Sequence, residues 1–272
     1  MRISGWGIAL PERIVTNDEL SQTLDTTNDW ILERSGIAQR RIGGSTSSLA
    51  IEAGKLALAS AGVEPESIDL LIIATTTPDD QVPATSSKVQ HELGLSCGAM
   101  DINAACSGFV YSLITGCGFL QAGCNRILVI GSETLSGITD WEDRSTAILF
   151  GDGAGAIVLE SSSGGGKLLG WDLSSSGELR DILYAPIGGK VYMEGREVFR
   201  KAVTAMTESG KKAIAHSGIS PDEISLVIPH QANIRIIETS MKKLGIPLER
   251  AVWVGDKTAN TSSASIPIAL GH

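Results

Sequence analysis

The pattern of apolar and polar positions predicts strands and helices in alternation. Short apolar runs bounded by turn residues predict buried strands at Leu70–Ala74, Ala99–Ala104 and Ile127–Gly131. Segments with helical spacing separate them, near Ala84–Leu93 and Ser107–Ala122. Because strands that alternate with helices are joined by crossover connections, the pattern predicts an α/β fold with a mostly parallel sheet.

The C-terminal part of the chain repeats the alternation. Helices are predicted near Glu197–His216 and Ile234–Leu244, with a strand at Leu226–Pro229 between them. A further strand is predicted at Val252–Val254, and another helix should follow Asn260.

Two segments align without gaps at an offset of 156 residues, Ala57–Thr77 and Ala213–Asn233. Their shared positions describe the same succession of a helix end, a glycine, a proline turn and an apolar strand. We therefore predict two duplicated α/β halves, residues 1–163 and residues 167–272. The Gly- and Ser-rich stretch Ser161–Gly166 is the candidate connection between them.

Composition and charge narrow the classes of function. The chain has 272 residues, of which 42% are hydrophobic and 4% aromatic, and its 31 glycines suit closely packed helices and sheets. A formal net charge of −9 argues against a nucleic-acid binder, which needs a basic face. No long apolar segment predicts a membrane span or a secretory signal, so we expect a cytoplasmic protein.

Cys106 is the candidate nucleophile among the four cysteines. The cysteines, at positions 97, 106, 117 and 124, lack the close paired spacings of a zinc site or a redox dithiol. Cys106 follows the strand that ends near Ala104 and begins the next helix, and a helix N-terminus favours the thiolate. A buried, inert cysteine is the alternative interpretation.

His230 and Asn260 are candidate partners of this thiol. His230 directly follows a predicted strand, at the rim where open α/β sheets bind ligands, although a lone histidine is more often structural. The repeat offset maps Asn260 onto Ala104, beside the Cys106 turn. If a pseudo-dyad relates the two halves, these two turns face each other with His230 nearby.

The segment Gly151–Gly155 has the glycine spacing of a dinucleotide loop. A phosphate-binding loop must open a helix, whereas the apolar residues Ile157–Leu159 predict a strand here. We therefore predict a tight turn and no nicotinamide site.

Three segments carry a family resemblance. DINAACSGF, VIPHQANIRI and NTSSASIP contain the three candidate residues in order, and they resemble segments of the β-ketoacyl-acyl-carrier-protein synthase III family, part of the thiolase-like superfamily. Similarity in NDWILERSGI and DRSTAILFGDGAGAIVL extends the resemblance over nearly the whole chain. It implies two duplicated halves with mixed sheets in a layered α-β-α-β-α arrangement.

The resemblance implies a decarboxylating Claisen condensation that initiates fatty acid biosynthesis. Cys106 would accept an acyl group from acyl-coenzyme A, and malonyl-acyl carrier protein would then lose carbon dioxide. His230 and Asn260 would stabilise the resulting enolate by hydrogen bonds. The family works as a homodimer and needs no metal, flavin or nicotinamide.

The resemblance also implies substrate contacts. Trp30 and Arg34 would sandwich the coenzyme A base and Arg144 would contact the nucleotide, although the tryptophan could simply anchor a helix and the arginines could be solvated. Phe199 resembles a wall of the acyl pocket, and Asn233 a residue that orders the pocket near the catalytic histidine.

Two further groups of residues are assigned in the same way. Val82 falls where the family shapes the end of the acyl pocket across the dimer, and its modest size predicts primers longer than acetyl or branched ones. Arg235, Lys242 and Lys243 share a predicted helix and match the family's basic docking surface for the carrier protein, or else form a solvated helix face.

Alternatives remain open at this point. The chain could be a starter-unit condensing enzyme or acyltransferase of a secondary-metabolite pathway, or a noncatalytic partner that heterodimerises or holds a carrier protein.

The family continues beyond the position of His272 with a helix and two strands, including a glycine that helps to bind the first oxyanion. We expect the molecule to contain that segment, and intact-mass measurement tests this expectation.

Overall fold

The computed structural model describes residues 1–162, 164 and 166–272. The elements before the glycine-rich connection are β1 (Arg2–Ala9), β2 (Ile14–Thr16), α1 (Asn17–Leu20), α2 (Asn28–Ser35), β3 (Gln39–Arg41), α3 (Thr46–Ala61), β4 (Leu70–Ala74), α4 (Thr85–Glu92), β5 (Gly98–Ile102), α5 (Gly108–Gln121), β6 (Arg126–Thr134), α6 (Arg144–Ala147) and β7 (Asp152–Glu160). Those after it are β8 (Leu183–Tyr184), β9 (Tyr192–Met193), α7 (Gly195–Ser217), α8 (Ile234–Leu244), α9 (Gly255–Thr258) and α10 (Ser265–Gly271). The connection predicted at Ser161–Gly166 includes Ser163 and Gly165, which lie outside the described residues.

The strongly patterned elements form where the sequence predicts them. Strand β4 and helix α8 have the predicted bounds, and the helix predicted at Glu197–His216 is α7 with slightly longer ends. Strand β7 begins at Asp152, so the segment Gly151–Gly155 opens a strand and not a helix. The tight turn predicted there is wrong, because residues 152–155 already belong to the strand.

The central sheet is mixed, so the prediction of a mostly parallel sheet is wrong. Its strand order is β1-β7-β6-β4-β5, in which β4 pairs parallel with β5 and β6, whereas β7 pairs antiparallel with β1 and β6. The segment between β6 and β7 contains only short helical turns and no helix long enough for a parallel crossover, so the chain returns antiparallel.

Both faces of the central strands are buried. Leu71, Ile73 and Leu128 belong to a core cluster with α3 and α4, while Ile72 and Val129 belong to a second cluster with α5 and α10. Successive side chains of a strand point to opposite faces, so each strand supplies both clusters. The sheet therefore has a helical layer on each side.

Two glycines in β1 allow α3 to lie directly on the sheet. A side chain at Gly5 or Gly7 would overlap the backbone of α3 near Ala57 or Ala53. The helix itself begins with a capping box between Ser45 and Ser48. This layer supports the strands whose ends carry the candidate site.

The strands predicted in the second half are largely absent from the described residues. Leu226–Pro229 and Val252–Val254 appear only as a single parallel bridge between Val227 and Ala251. Each segment has only the other as a partner, and two short segments alone form a poor ladder. That part of the prediction is wrong for the residues described.

The structure extends the internal repeat and corrects its register. Helices α3 and α7 both end at a left-handed glycine, Gly62 and Gly218, followed at the same spacing by a proline 3₁₀ turn. The 3₁₀ turns Ala105–Ser107 and Ser262–Ala264, however, are related by an offset of 157. Asn260 therefore corresponds to Asn103 and not to Ala104, because the second half has one extra residue before this turn.

Candidate active site

Cys106 lies in a 3₁₀ turn between the end of β5 and the first residue of α5. The turn spans Ala105–Ser107, and α5 starts at Gly108. A side chain at Gly108 would contact Ala74 and Ser263, so glycine permits close packing of this turn against the turn that follows Asn260. The two turns thus meet as the repeat predicts.

Both turns contain residues in a strained backbone conformation. Ala105 and Ser262 have φ angles of 46°, and Ala259 has a φ angle of 59°. Left-handed conformations cost non-glycine residues on the order of 1–3 kcal/mol and persist where the surrounding structure imposes them. Here they set the direction in which Cys106 and Asn260 leave the backbone.

The thiol of Cys106 is protonated in the resting site. Its pKa is raised to about 11, chiefly by burial; the Ser262 side chain lowers the pKa, and the negative charge of Glu133 raises it. Burial thus opposes the helix N-terminus, which the sequence predicts to favour the thiolate. A role as nucleophile would therefore require the proton of Cys106 to leave during the attack.

Glu133 is a buried carboxylate at the end of β6. It accepts hydrogen bonds from the hydroxyl groups of Thr77 at 2.6 Å and Ser263 at 2.7 Å, and from the backbone N–H of Thr76 at 3.0 Å. Burial raises its pKa, and these donors act in the opposite direction. The carboxylate connects the end of β4 to the turn that follows Asn260.

His230 is held by its Nδ1 atom. Nδ1 lies 2.6 Å from the hydroxyl oxygen of Ser265, the first residue of α10. The neighbouring Gln231 fixes the backbone, because its amide donates to Pro229 O and accepts from the N–H of Val254. Burial lowers the pKa of His230 to about 4, so the ring is neutral near pH 7.

Asn260 is buried, and its side chain has a fixed orientation. Its Oδ1 accepts a hydrogen bond from the N–H of Ser262 at 2.8 Å. Its backbone pairs with the segment 149–151, through Leu149 O and the N–H of Gly151. Within the described part of the chain, no hydrogen bond uses the Nδ2 group, so this donor is available to a ligand.

One short segment, residues 260–265, connects all three candidate residues. It carries Asn260, its Ser262 side chain lies near enough to the Cys106 thiol to lower the pKa of that thiol, and its Ser265 hydroxyl holds the His230 ring. The segment is itself anchored by Ser263, whose single hydroxyl hydrogen is within reach of two acceptors, Glu133 at 2.7 Å and Ala74 O at 2.9 Å. The residues therefore belong to one site, as the sequence predicts.

Cys106 and His230 line the same cavity, which has a volume of about 490 Å³. Its other walls come from α5, α7, α8 and the segment 168–174. The lining is mostly apolar, and includes Leu113, Met206 and Leu244. The cavity thus offers a reactive thiol and an imidazole in largely apolar surroundings.

Trp30, Arg34 and Arg144 form a separate cluster on the surface. The guanidinium carbons of Arg34 and Arg144 lie 4.2 Å and 4.7 Å from the centre of the Trp30 ring. Two cations beside one aromatic ring provide stacking and charge for a phosphorylated aromatic ligand. The structure brings these three residues together, whereas their binding role remains a prediction.

The remaining predicted pocket residues lie elsewhere. Asn233 caps the N-terminus of α8, and its amide donates to Arg34 O at 2.8 Å, so it joins α8 to α2. Phe199 is absent from the cavity walls among the described residues, and its ring packs 5.7 Å from the Arg235 guanidinium. Val82 is 84% exposed and also outside the walls, which leaves its predicted role dependent on a second copy of the chain.

Helix α8 presents the predicted basic surface. Arg235, Lys242 and Lys243 are all exposed, and none forms an ion pair with another described residue. Arg235 and Lys242 are separated by two helical turns and therefore share a face. The lysines in the last turn also suit the helix dipole, which is the ordinary structural explanation for their position.

Sequence reasoning missed Glu133, Ser262 and Ser265. Glu133 had a usable signal, since it lies two residues beyond the carboxyl end of the predicted strand Ile127–Gly131. The two serines belong to the run NTSSASIP, in which nothing distinguishes one hydroxyl group from another. Their roles emerge only from distances.

The described residues include no group of three side chains arranged to hold a metal ion. Over the same residues, no helix combines the length and the apolar character needed to cross a bilayer.

Family models match two parts of the chain. The model described as 3-oxoacyl-[acyl-carrier-protein (ACP)] synthase III matches residues 100–177, which include the Cys106 turn. The model described as the C-terminal part of 3-oxoacyl-[acyl-carrier-protein (ACP)] synthase III matches residues 214–272, which include His230 and Asn260.

Full-length comparisons agree with these matches. The chain is 48% identical over 283 residues to a β-ketoacyl-[acyl-carrier-protein] synthase III of Erythrobacter litoralis, covering 98% of this chain and 88% of that one. The crystal structure of the 3-oxoacyl-[acyl-carrier-protein] synthase III of Aquifex aeolicus superposes with a TM-score of 0.97 at 44% identity, over 99% of this chain and 89% of that one. The priming β-ketosynthase of the R1128 polyketide pathway gives 0.91 at 33% identity, over 99% and 86%.

Proposed function

The chain belongs to the 3-oxoacyl-[acyl-carrier-protein] synthase III family of thiolase-like condensing enzymes, and we propose that Cys106, His230 and Asn260 perform its acyl transfer and condensation. The enzyme is an acyltransferase that joins an acyl-coenzyme A primer to malonyl-acyl carrier protein at the start of fatty acid biosynthesis. The convergence of the three residues on the segment 260–265 is the observation that carries the assignment of roles.

Cys106 is the nucleophile of the first half-reaction. Its sulfur attacks the acyl-coenzyme A carbonyl, and the new thioester forms as the bond to the coenzyme A sulfur breaks. Because the resting thiol is protonated, its proton is transferred in this step and ends on the departing coenzyme A. The Trp30, Arg34 and Arg144 cluster would bind the nucleotide part of that substrate.

His230 and Asn260 act in the second half-reaction. The carboxylate of the malonyl group leaves as carbon dioxide, and the electron pair of the broken bond moves onto the thioester oxygen. A neutral imidazole and a carboxamide can both donate hydrogen bonds to that oxygen, whereas a carboxylate there would repel it. The enolate carbon then attacks the Cys106 thioester, the carbon–sulfur bond to Cys106 breaks to give a β-ketoacyl carrier protein, and the released thiolate takes a proton from solvent to restore the thiol.

Several finer assignments follow. The basic face of α8 would dock the acidic carrier protein, and Val82 would close the acyl pocket of a second copy in a homodimer. All four cysteines are free in the described structure, which suits the reducing cytoplasm. The chemistry needs no metal, flavin or nicotinamide cofactor.

Mass spectrometry of the intact protein after incubation with acyl-coenzyme A tests the nucleophile. We expect a mass increase of one acyl group on Cys106, and no increase in the Cys106→Ala variant. A Cys97→Ala variant serves as the matched control, since Cys97 lies outside the site, and should still be acylated. A folded wild-type protein that takes up no acyl group would instead support a noncatalytic partner.

Release of labelled carbon dioxide from malonyl-acyl carrier protein tests the second half-reaction. Acyl transfer without carbon dioxide release would point to an acyltransferase of a secondary-metabolite pathway.

The likeness to the R1128 priming β-ketosynthase supports a second candidate, a starter-unit condensing enzyme. A series of primers distinguishes the two: acetyl and short branched groups suit fatty acid initiation, and exclusive use of a larger primer suits the alternative.

A further inference from the structure

Ser265 is a buried serine whose hydroxyl group faces the His230 ring. It is the first residue of α10 and is 1% exposed. Its Oγ lies 2.6 Å from His230 Nδ1 and 3.3 Å from the backbone nitrogen of Gln231. These are its two hydrogen-bond contacts with the described residues.

The donors and acceptors in this group fix the direction of the bonds. The Gln231 nitrogen carries a hydrogen and can only donate, so Ser265 Oγ accepts there. The single hydroxyl hydrogen then needs an acceptor, and in the described structure only Nδ1 of His230 is within reach. Ser265 therefore donates to Nδ1, and the neutral ring carries its own hydrogen on Nε2.

The opposite tautomer is unfavourable in these surroundings. A hydrogen on Nδ1 would point at Ser265 Oγ together with the Gln231 N–H, and the hydroxyl hydrogen would have no acceptor among the described residues. A polar hydrogen that is buried without a partner is rare in folded proteins. Gln231 holds this arrangement in place through its bonds to Pro229 and Val254.

We propose that Ser265 is a positioning residue that fixes His230 as the Nε2–H tautomer and so directs a hydrogen-bond donor into the cavity that Cys106 lines. The catalytic consequence rests on the proposed function. As carbon dioxide leaves, the electron pair of the broken carbon–carbon bond moves to the thioester oxygen, where Nε2–H donates. A ring with its hydrogen on Nε2 cannot at the same time accept the Cys106 proton at that atom, so His230 acts as a donor and not as a base.

Nitrogen-15 NMR of histidine-labelled protein reads the tautomer directly, because protonated and unprotonated ring nitrogens give well-separated signals. The chain has four histidines, and a His230→Gln variant assigns the relevant pair of signals. Near pH 7 we expect an unprotonated Nδ1 and a protonated Nε2 in the wild type. In Ser265→Ala we expect the two tautomers to mix, with intermediate shifts.

Kinetics separate a positioning role from a merely structural one. In Ser265→Ala we expect carbon dioxide release from malonyl-acyl carrier protein to fall by roughly 10- to 100-fold, within the range found when oxyanion donors are removed or misdirected. Acylation of Cys106 should be unchanged, since it does not use this donor. Ser265→Thr keeps the hydroxyl group and should restore most of the rate.

Ser112→Ala is the matched control. Ser112 is also a buried serine near the start of α5, but its hydroxyl group has no partner among the described residues and lies outside the cavity walls. Its replacement should change neither the NMR signals of His230 nor the rate of decarboxylation.

Two results would overturn the proposal: a protonated Nδ1 in the wild type, or a Ser265→Ala variant with unchanged ring signals and an unchanged rate. Failure of the proposed function looks different. In that case the wild type would release no carbon dioxide, while the ring nitrogens would still report whether Ser265 selects the tautomer.

Discussion

Glu133 accepts a 2.7 Å hydrogen bond from Ser263, the residue that occupies in the second half the position of Cys106 in the first. The same carboxylate is bonded to Thr76 and Thr77 at the end of β4. Its partners are all hydroxyl and backbone N–H groups, which can donate to a carboxylate. Glu133 therefore fastens the turn after Asn260 to the end of β4, and its charge raises the pKa of the nearby Cys106 thiol.

Replacing Glu133 by Gln should lower the pKa of the Cys106 thiol, because the charge of Glu133 raises it. The pH dependence of iodoacetamide alkylation, with Cys106 identified by peptide mass spectrometry, measures this shift. The variant should also unfold more easily, by roughly 1–3 kcal/mol, since an amide leaves some of the donors unpaired. Glu66→Gln, at an exposed position, is the control. An alkylation midpoint that stays the same or rises in a folded Glu133→Gln protein would show that the charge of Glu133 does not raise the pKa of Cys106.

The depressed pKa of His230 should make folding stability depend on pH. Its pKa is about 4 in the folded chain and 6.5 in the unfolded chain, so below pH 6.5 only the unfolded state gains the proton. The folded state therefore has its full stability above pH 6.5, and the free energy of unfolding decreases by up to about 3 kcal/mol as the pH falls towards 4. Urea unfolding of the wild type and His230→Gln at several pH values should show this difference. Parallel curves for the two proteins would argue against a neutral, buried ring.

Replacing Gly131 by Ala should damage the site through packing alone. A side chain there would overlap the carbonyl oxygen of Ser263, so the turn after Asn260 has to move. We expect a loss of about 1–3 kcal/mol in the free energy of unfolding, together with reduced acylation of Cys106. Gly118→Ala, in an exposed part of α5 with open space around it, should be neutral or slightly stabilising. Equal stability of the two variants would show that the contact is unimportant.

Charge reversal on α8 tests the docking surface. Arg235→Glu combined with Lys242→Glu should raise the KM for malonyl-acyl carrier protein by about tenfold or more at low salt, while acylation by acyl-coenzyme A remains normal. Lys55→Glu, on the exposed side of α3, supplies a charge change of the same kind away from this face. If the double variant and Lys55→Glu have the same KM for malonyl-acyl carrier protein, the basic face of α8 is only a solvated surface.

The sequence predicts most of the fold because its strongest signals are local. Strand β4 and helix α8 depend on apolar periodicity and glycine caps, and they form with the predicted bounds. The direction of β7 and the single bridge at Val227 depend instead on which partners are available to pair, and periodicity carries no such information.

The candidate site also combines residues that the sequence identifies with residues that only the folded chain reveals. The family resemblance identifies Cys106, His230 and Asn260, and the repeat adds that the turns carrying Cys106 and Asn260 face each other. Ser265 and Glu133 act across long separations in sequence, 35 residues to His230 and 130 residues to Ser263, so only the folded chain reveals them.

The segment 260–265 supports the catalytic residues, whereas the choice of primer depends on other parts of the chain. Its six residues carry or contact every group assigned to the chemistry, whereas the cavity walls come from α5, α7 and α8, from the segment 168–174 and from residues 227–230. Redesign for new primers should therefore be confined to these helices and to the segment 168–174. Shortening or lengthening the hexapeptide by one residue should impair acylation and decarboxylation together, because Asn260, the Ser262 side chain beside Cys106 and the Ser265 hydroxyl that holds His230 would all be displaced.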